Sequence, residues 1–239
     1  MHDYQMLADN DRVMIAVSGG VDSLTLAWLM QHWQQKAPIR YQIHAVHIDM
    51  GIDAEATFAV EKQLQLLNLP YTIKKTGFDL QKLAERQEKN LCFHCSKKRR
   101  NLLFDFARVH DFSKVAFGHH QEDLIETLFL NMLYSGNMST MVPRQDIFAG
   151  TLSLVRPLAY LEKRQIVELA EFLDITPVAN PCPVAKDSKR EQVRHLLSTL
   201  YGRDPKIKAN IFSAMGNIKQ QYLLQPLNKR SNPQDADNP

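Results

Sequence analysis

Arg12-Val13-Met14-Ile15-Ala16-Val17-Ser18-Gly19-Gly20-Val21-Asp22-Ser23 is the stretch that decides the fold. Arg12 to Val17 is a short apolar run with polar residues before it and glycines after it, the pattern of a strand buried on both faces of a parallel sheet. Leu24 to Trp33 continues at helical density, so Ser18 to Ser23 is a loop joining a strand to a helix. Two glycines let the loop turn tightly and let a ligand approach its backbone. The loop amides and the first N–H groups of the helix make a pocket for an anion. Ser18 and Ser23 add hydroxyl donors. In an open α/β sheet, ligands bind beyond the carboxyl ends of strands, where this loop falls. The loop holds no lysine and the chain no GxxxxGKS or GxxxxGKT, so this is not a Walker A site. An aspartate here repels phosphate unless a cation sits between them, which makes Asp22 a candidate Mg²⁺ contact. The plainer reading is a Gly-Gly turn with Ser or Asp as a helix cap. Six such residues in a strand–loop–helix setting outweigh it.

Working outward, strands are expected at Tyr41 to Ile48, Tyr71 to Lys74, Val115 to Phe117 and Leu152 to Val155. Asp53 is placed to cap a helix whose Ala56, Val60, Leu64 and Leu67 form one stripe. A long helix is expected from about His120 to Leu133, its Leu124, Leu128 and Leu130 to Leu133 supplying the buried side. Strands alternating with helices imply right-handed crossovers. The fold class is α/β: a doubly wound, mainly parallel five-stranded sheet with helices on both faces, followed by a helical C-terminal segment. Further helices are expected at Glu162 to Leu173, roughly Asp187 to Leu200 and roughly Asp204 to Leu223. Residues 1–202 read as the main domain, 203–226 as a helical segment, and 227–239, which end in SNPQDADNP, as a disordered tail.

The chain has 239 residues, 44% hydrophobic and 23% charged, which excludes collagen-like, coiled-coil and wholly disordered classes. No apolar run reaches the ~18 residues of a membrane span, and the polar N-terminus has no secretory pattern. A cytoplasmic protein with no membrane partner is the expectation. A net charge of +3 neither demands nor opposes nucleic acid. Three cysteines are an odd number, so metal binding or catalysis is a better reading than a disulfide framework.

Cys92-Phe93-His94-Cys95 is a CxxC, the spacing at which two thiolates reach one metal or form a redox pair. Cys182 lies between Pro181 and Pro183, which restrict its backbone and suit a loop that presents a thiolate elsewhere. Three thiolates are one short of the usual four. Either His94, His119 or His120 completes a zinc site, or an iron–sulfur cluster keeps one iron free of protein. Lys97-Lys98-Arg99-Arg100 follows at once and is the densest basic run. Read as a helix N-terminus, these cations oppose the macrodipole unless an external anion, such as an RNA backbone, offsets them. Phe93 is placed to stack on a base or to shield a cluster. On the helix from His120, Asp123, Glu126 and Thr127 share a face.

SGGVDS matches the SGGxDS signature of the PP-loop ATP pyrophosphatases, and the chain resembles that superfamily. The resemblance implies a PP-loop fold and an ATP-dependent enzyme that cleaves between the α- and β-phosphates. It implies nucleotide contacts at Ser18, Gly19, Gly20, Val21, Asp22 and Ser23, and at the segment after strand two, His47 to Met50, with Ile48 and Asp49 as candidates. Within the superfamily, CFHCSKKRRNLL, the GHHxxDxxET motif from Gly118 to Thr127 and Arg156-Pro157-Leu158 resemble the tRNA 2-thiocytidine synthetase group. That resemblance runs from about Arg12 to Leu200. It implies ATP-dependent thiolation of a tRNA cytidine, with Gly118 and Asp123 at the nucleotide and Mg²⁺ as companion ion. It also implies a [4Fe-4S] cluster on Cys92, Cys95 and Cys182, which are catalytic with Asp22. Lys97, Lys98, Arg99 and Arg100 are then nucleic-acid contacts. The partners implied are tRNA, a persulfide carrier or sulfide as sulfur donor, and a second copy of the chain in a homodimer. Relatives commonly carry a second CxxC near the third ligand, where this chain has only Cys182. PP-loop amide or amine ligases and enzymes that insert or remove sulfur in small molecules share the loop; the ligases need no cysteine set.

Overall fold

β1 (Asp11–Ala16) alternates between two cores, which is why helices cover both sides of the sheet. Val13 and Ile15, with Val17 just beyond, pack on one side with Leu24, Leu26, Met30, Val60, Leu64 and Ile166. Met14 points the other way, to Val46, Ile48, Leu103, Ala107, Val115 and Leu154. The computed structural model describes residues 1–77, 91–179 and 188–224, with 91–93 as backbone. The elements after β1 are α1 (Val21–Lys36), β2 (Tyr41–Asp49), α2 (Ala54–Leu66), β3 (Tyr71–Lys75), α3 (Leu91–Val109), β4 (Lys114–Ala116), α4 (Gln121–Ser135), β5 (Arg144–Ile147), β6 (Leu152–Val155), α5 (Lys163–Phe172), α6 (Lys189–Arg203) and α7 (Lys206–Gly216).

The strand order is β3-β2-β1-β4-β6-β5. All neighbours are parallel except β5 and β6. The chain builds outward from β1 to β3, then returns to the far side of β1. The β1–β4 boundary is therefore the topological switch point, where α/β sheets open a crevice for ligands. Asp53 caps α2 as expected, its Oδ1 accepting the N–H groups of Glu55 and Ala56 at 2.8 and 3.2 Å.

The sheet has six strands rather than five. The addition is β5, whose Arg144-Gln145-Asp146-Ile147 lacks an apolar pattern because it is a partly solvated antiparallel edge. It forms by register with β6 across a turn in which Phe148, Ala149 and Gly150 all take positive φ. Three more expectations are corrected. The C-terminal half of α4 is not a buried side: Met132, Leu133 and Tyr134 are exposed. Fifteen helical residues run ~22 Å, well past the three-residue strand β4 that feeds them. The basic run is not a helix N-terminus, because α3 already includes Leu91 and carries Cys92 to Arg100 in its first turns. The expected last helix is α7 followed by a short 3₁₀ turn at Gln220–Tyr222, since Pro205 starts it and Gly216 stops it.

The described residues divide into two compact units, one ending at Thr199 and the other starting at Leu200. The expected tail, residues 227–239, and Cys182 with its prolines lie outside the described residues. No helix among the described residues is long and apolar enough to cross a membrane.

Ile166 is fully buried where α5 meets the core shared with α1. Ile166→Ala is expected to cost ~2–5 kcal/mol of stability. A urea titration measures it.

Candidate functional site

The SGGVDS loop closes on itself. Ser23 Oγ donates to the Gly20 carbonyl at 2.9 Å and accepts the Ser18 N–H at 3.1 Å. Ser18 Oγ accepts the Gly20 N–H at 3.3 Å. The Ser23 side chain, on a buried residue, thus shapes the loop. Gly19 adopts φ +92°, and a Cβ there would stand 2.5 Å from Val60 Cγ2, so both conformation and space require glycine. Its carbonyl accepts the Val178 N–H at 2.9 Å. Gly20, the N-cap of α1, offers no side chain to the first turn. Helix α2 has two of its first donors taken by Asp53, whereas α1 has no side-chain cap.

Gly118 follows β4 and lies against this loop. A Cβ on it would meet the Asp22 carbonyl carbon and oxygen at 2.9 Å and the Ser23 nitrogen at 3.0 Å. That approach brings the N-terminus of α4 beside Asp22. His120 Nε2 lies 3.9 Å from Asp22 Oδ1 and 3.4 Å from Asp123 Oδ2, and His120 Nδ1 lies 2.9 Å from Glu122 Oε2. Asp123 also accepts the His120 backbone N–H at 3.1 Å. Burial works to lower the His120 pKa, but the hydrogen bond to Glu122 and the charges of Asp123, Asp22 and Glu122 outweigh it and raise it. His119 is held at about 4, chiefly by burial, although Asp123 pulls upward. Arg156 Nε donates to His119 Nδ1 at 3.3 Å; burial brings this arginine down to about 10.

The shared face of Asp123, Glu126 and Thr127 forms as expected, and its partners come from α6. Arg194 Nε donates to Glu126 Oε1 at 2.9 Å. Arg190 lies 2.9 Å from Glu126 Oε2 and 3.9 Å from Asp123 Oδ1, and it donates to Thr127 Oγ1 at 3.2 Å. The two arginines balance a carboxylate buried in the fold.

Residues Ser18 to Ser23, Gly118 and Asp123 therefore come together at the switch point. Ile48 and Asp49 are the last residues of β2 rather than a segment beyond it. The Ile48 side chain is buried with Met50 in the second core, and Asp49 Oδ1 accepts the Gly51 N–H at 2.8 Å. Cys95 is buried in that same second core, near the start of α3. Cys92 precedes it by three positions, about one turn of α3. Lys97, Lys98 and Arg100 are exposed, but Arg99 turns inward: its Nε is buried without a partner among the described residues, and its charge acts on His47. Lys163 carries no motif or spacing that marks it in the sequence. Its Nζ reaches Asp22 Oδ1 and Oδ2 at 2.6 and 2.7 Å from 141 positions further along the chain.

A PP-loop domain description matches residues 2–200. Relatives named tRNA-cytidine(32) 2-sulfurtransferase match nearly the whole chain. That of Geotalea uraniireducens is 31% identical over 93% of this chain and 89% of its own. That of Anaeromyxobacter dehalogenans is 32% identical over 94% and 78%. The chain belongs to the tRNA-cytidine 2-sulfurtransferase branch of the PP-loop family. The U34-tRNA thiolase NcsA from Methanococcus maripaludis, solved with its [4Fe-4S] cluster, superposes with a TM-score of 0.72 over 89% of this chain and 72% of that one. At 23% identity that likeness establishes a shared PP-loop architecture. In a PP-loop protein the uncapped helix beside SGGVDS is the ATP-binding end of the sheet.

Mg²⁺ is held in nucleotide sites by one or two carboxylates plus the substrate's phosphates. Asp22 and Asp123, both facing His120, meet that requirement. Among the described residues no group of three or more His, Cys, Asp or Glu forms a protein-only metal cage.

Two outcomes follow. Gly118→Ala pushes backbone against backbone, so a loss of ~1–3 kcal/mol in stability and weaker ATP binding are expected, read by thermal melting and nucleotide titration. The depressed His119 pKa means the unfolded chain takes up a proton first as pH falls. Its contribution to stability is therefore intact above about pH 6.5 and lost on acidification toward the folded value of about 4. Denaturant titrations should show a shallower loss over that window in His119→Gln.

Proposed function

We propose that the protein is an ATP-dependent tRNA sulfurtransferase that thiolates C2 of a cytidine in the anticodon loop. The observation that carries this reading is the self-closed SGGVDS loop with its uncapped helix at the β1–β4 switch point, in a chain whose relatives bear the tRNA-cytidine(32) 2-sulfurtransferase name. ATP enters with its phosphates at α1 and with Mg²⁺ at Asp22 and Asp123. The C2 carbonyl oxygen of the base attacks the α-phosphorus, pyrophosphate leaves, and the base is activated as its adenylate. Sulfide then displaces AMP at C2; where a persulfide carrier is the donor, its outer sulfur attacks instead and a second thiol reduces the resulting C2–S–S link, releasing the carrier as a disulfide. The protein's share is positioning and charge stabilisation. An unpaired loop base can be splayed out to reach the crevice, as a base in duplex cannot.

Cys92, Cys95 and Cys182 are the residues for a [4Fe-4S] cluster. Cys92 and Cys95 are one turn apart at the start of α3, and a cluster held by three thiolates would supply an iron able to take up an exogenous sulfide. In the β3-to-β4 crossover, the start of α3 falls at the carboxyl end of the sheet, the same end as SGGVDS. A cytoplasmic location and a homodimer are part of the reading.

Mass spectrometry of tRNA nucleosides from a deletion strain tests the reading. Loss of 2-thiocytidine, restored by the wild-type gene and not by Cys182→Ala, is expected; an unchanged profile overturns it. The exposed residues Lys97, Lys98 and Arg100 are the candidate backbone contacts. Replacing all three with Ala should weaken tRNA binding and flatten its salt dependence by ~0.7 in log–log slope per lost single-strand phosphate contact. Arg99→Ala, turned inward, should leave that slope close to wild type.

A further inference from the structure

The loop of residues 18–23 contains no cation of its own, yet it must receive the most highly charged part of ATP. Asp22 sits in the first turn of α1, beside the donors that a phosphate needs. Among the described residues, Lys163 is the one lysine or arginine within ion-pair distance of Asp22. We infer that Lys163 is the polyphosphate-binding lysine of this site: it neutralises Asp22 in the nucleotide-free protein and transfers to the β- and γ-phosphates when the nucleotide's divalent cation takes over the carboxylate. The inference rests on the ATP reading above and adds a residue to it.

The local structure suits an exchange rather than a permanent strut. Lys163 is the first residue of α5, and its backbone N–H donates to Glu122 Oε2 at 3.0 Å. The Glu162 N–H before it is taken by Gln165 Oε1 at 2.9 Å. The base of the side chain is thus fixed, while four methylenes carry the ammonium to the loop. Two of its three donors go to the two Asp22 oxygens, leaving one for an incoming anion. Glu122 also holds His120, so the same carboxylate ties the lysine's base to the wall of the crevice.

Energetics separate the two roles. The side chains of Lys163 and Asp22 are 41% and 26% exposed. Ion pairs this open to water contribute little to stability. The packing that holds α5 to the core is apolar, through Ile166 and Ala170, and does not involve the pair. Breaking it therefore costs the fold little. A half-exposed ammonium is also free to find a new partner by rotamer change, without moving the helix. Lysine serves phosphate as a compact point charge, which suits an oxygen cluster whose position shifts when pyrophosphate departs.

The test is calorimetric titration of inorganic pyrophosphate and of ATP, each with and without Mg²⁺, into the full-length wild type, Lys163→Met, Lys163→Arg and Ile166→Ala. Removing a charge-assisted contact should weaken pyrophosphate binding by about ten- to a hundredfold in Lys163→Met, with a melting temperature near wild type. Lys163→Arg should recover part of the affinity. Ile166→Ala should melt early yet bind pyrophosphate normally. Wild-type affinity in Lys163→Met overturns the inference. So does failure of that variant to fold, because the pair would then be structural. Failure of the wild type to bind either ligand overturns the ATP reading itself, a separate outcome.

Discussion

The site depends on one close approach. Gly118, at the end of β4, lies so near the backbone of Asp22 and Ser23 that no side chain fits between them. This contact closes the β1–β4 boundary and sets the first turn of α4 beside the first turn of α1. His120 then meets Asp22, Glu122 and Asp123 at once. Gly19 plays the matching part on the other side, with Val60 of α2 against its α-carbon and Val178 hydrogen-bonded to its carbonyl. Two glycines 99 positions apart thus let three segments converge on one anion pocket.

What could be read in the sequence was local. A strand, a glycine turn and a helix follow one another between Arg12 and Trp33, so their geometry and their ligand end could be inferred from the residues alone. Asp53 was equally legible because a cap acts within three residues. β5 was not, because an edge strand packs on one side only and its pairing is dictated by β6. The start of α3 was misplaced because polar Ser96 to Arg100 reads as a boundary, whereas the helix simply presents them to water, apart from Arg99. Lys163 could not be found at all: an ion pair across 141 positions leaves no periodicity and no motif. The same holds for Arg190 and Arg194 on Glu126, although the shared face of Asp123, Glu126 and Thr127 did announce that something would bind there.

The charges around the crevice have a consistent logic. Asp22, Glu122, Asp123 and Glu126 are each met by a histidine, lysine or arginine from another position. Arg156, deeply buried, is met instead by neutral acceptors: His119, the Val142 carbonyl and Gln145. The acidic side of the site is therefore balanced before any nucleotide arrives, and a cation brought by ATP can displace a protein cation without leaving a bare carboxylate. The start of α3, where Cys95 is buried, lies at the same carboxyl end of the sheet as SGGVDS.

If ATP is spent on activating a tRNA base through adenylation, its products must track the sulfur inserted. The most direct measurement is the stoichiometry of products from anaerobically prepared protein given ATP, Mg²⁺, sulfide and unmodified tRNA. One AMP and one pyrophosphate are expected for each sulfur atom found in tRNA, with both products absent when tRNA is withheld. Formation of ADP and phosphate, or sulfur incorporation that proceeds without ATP, would contradict it.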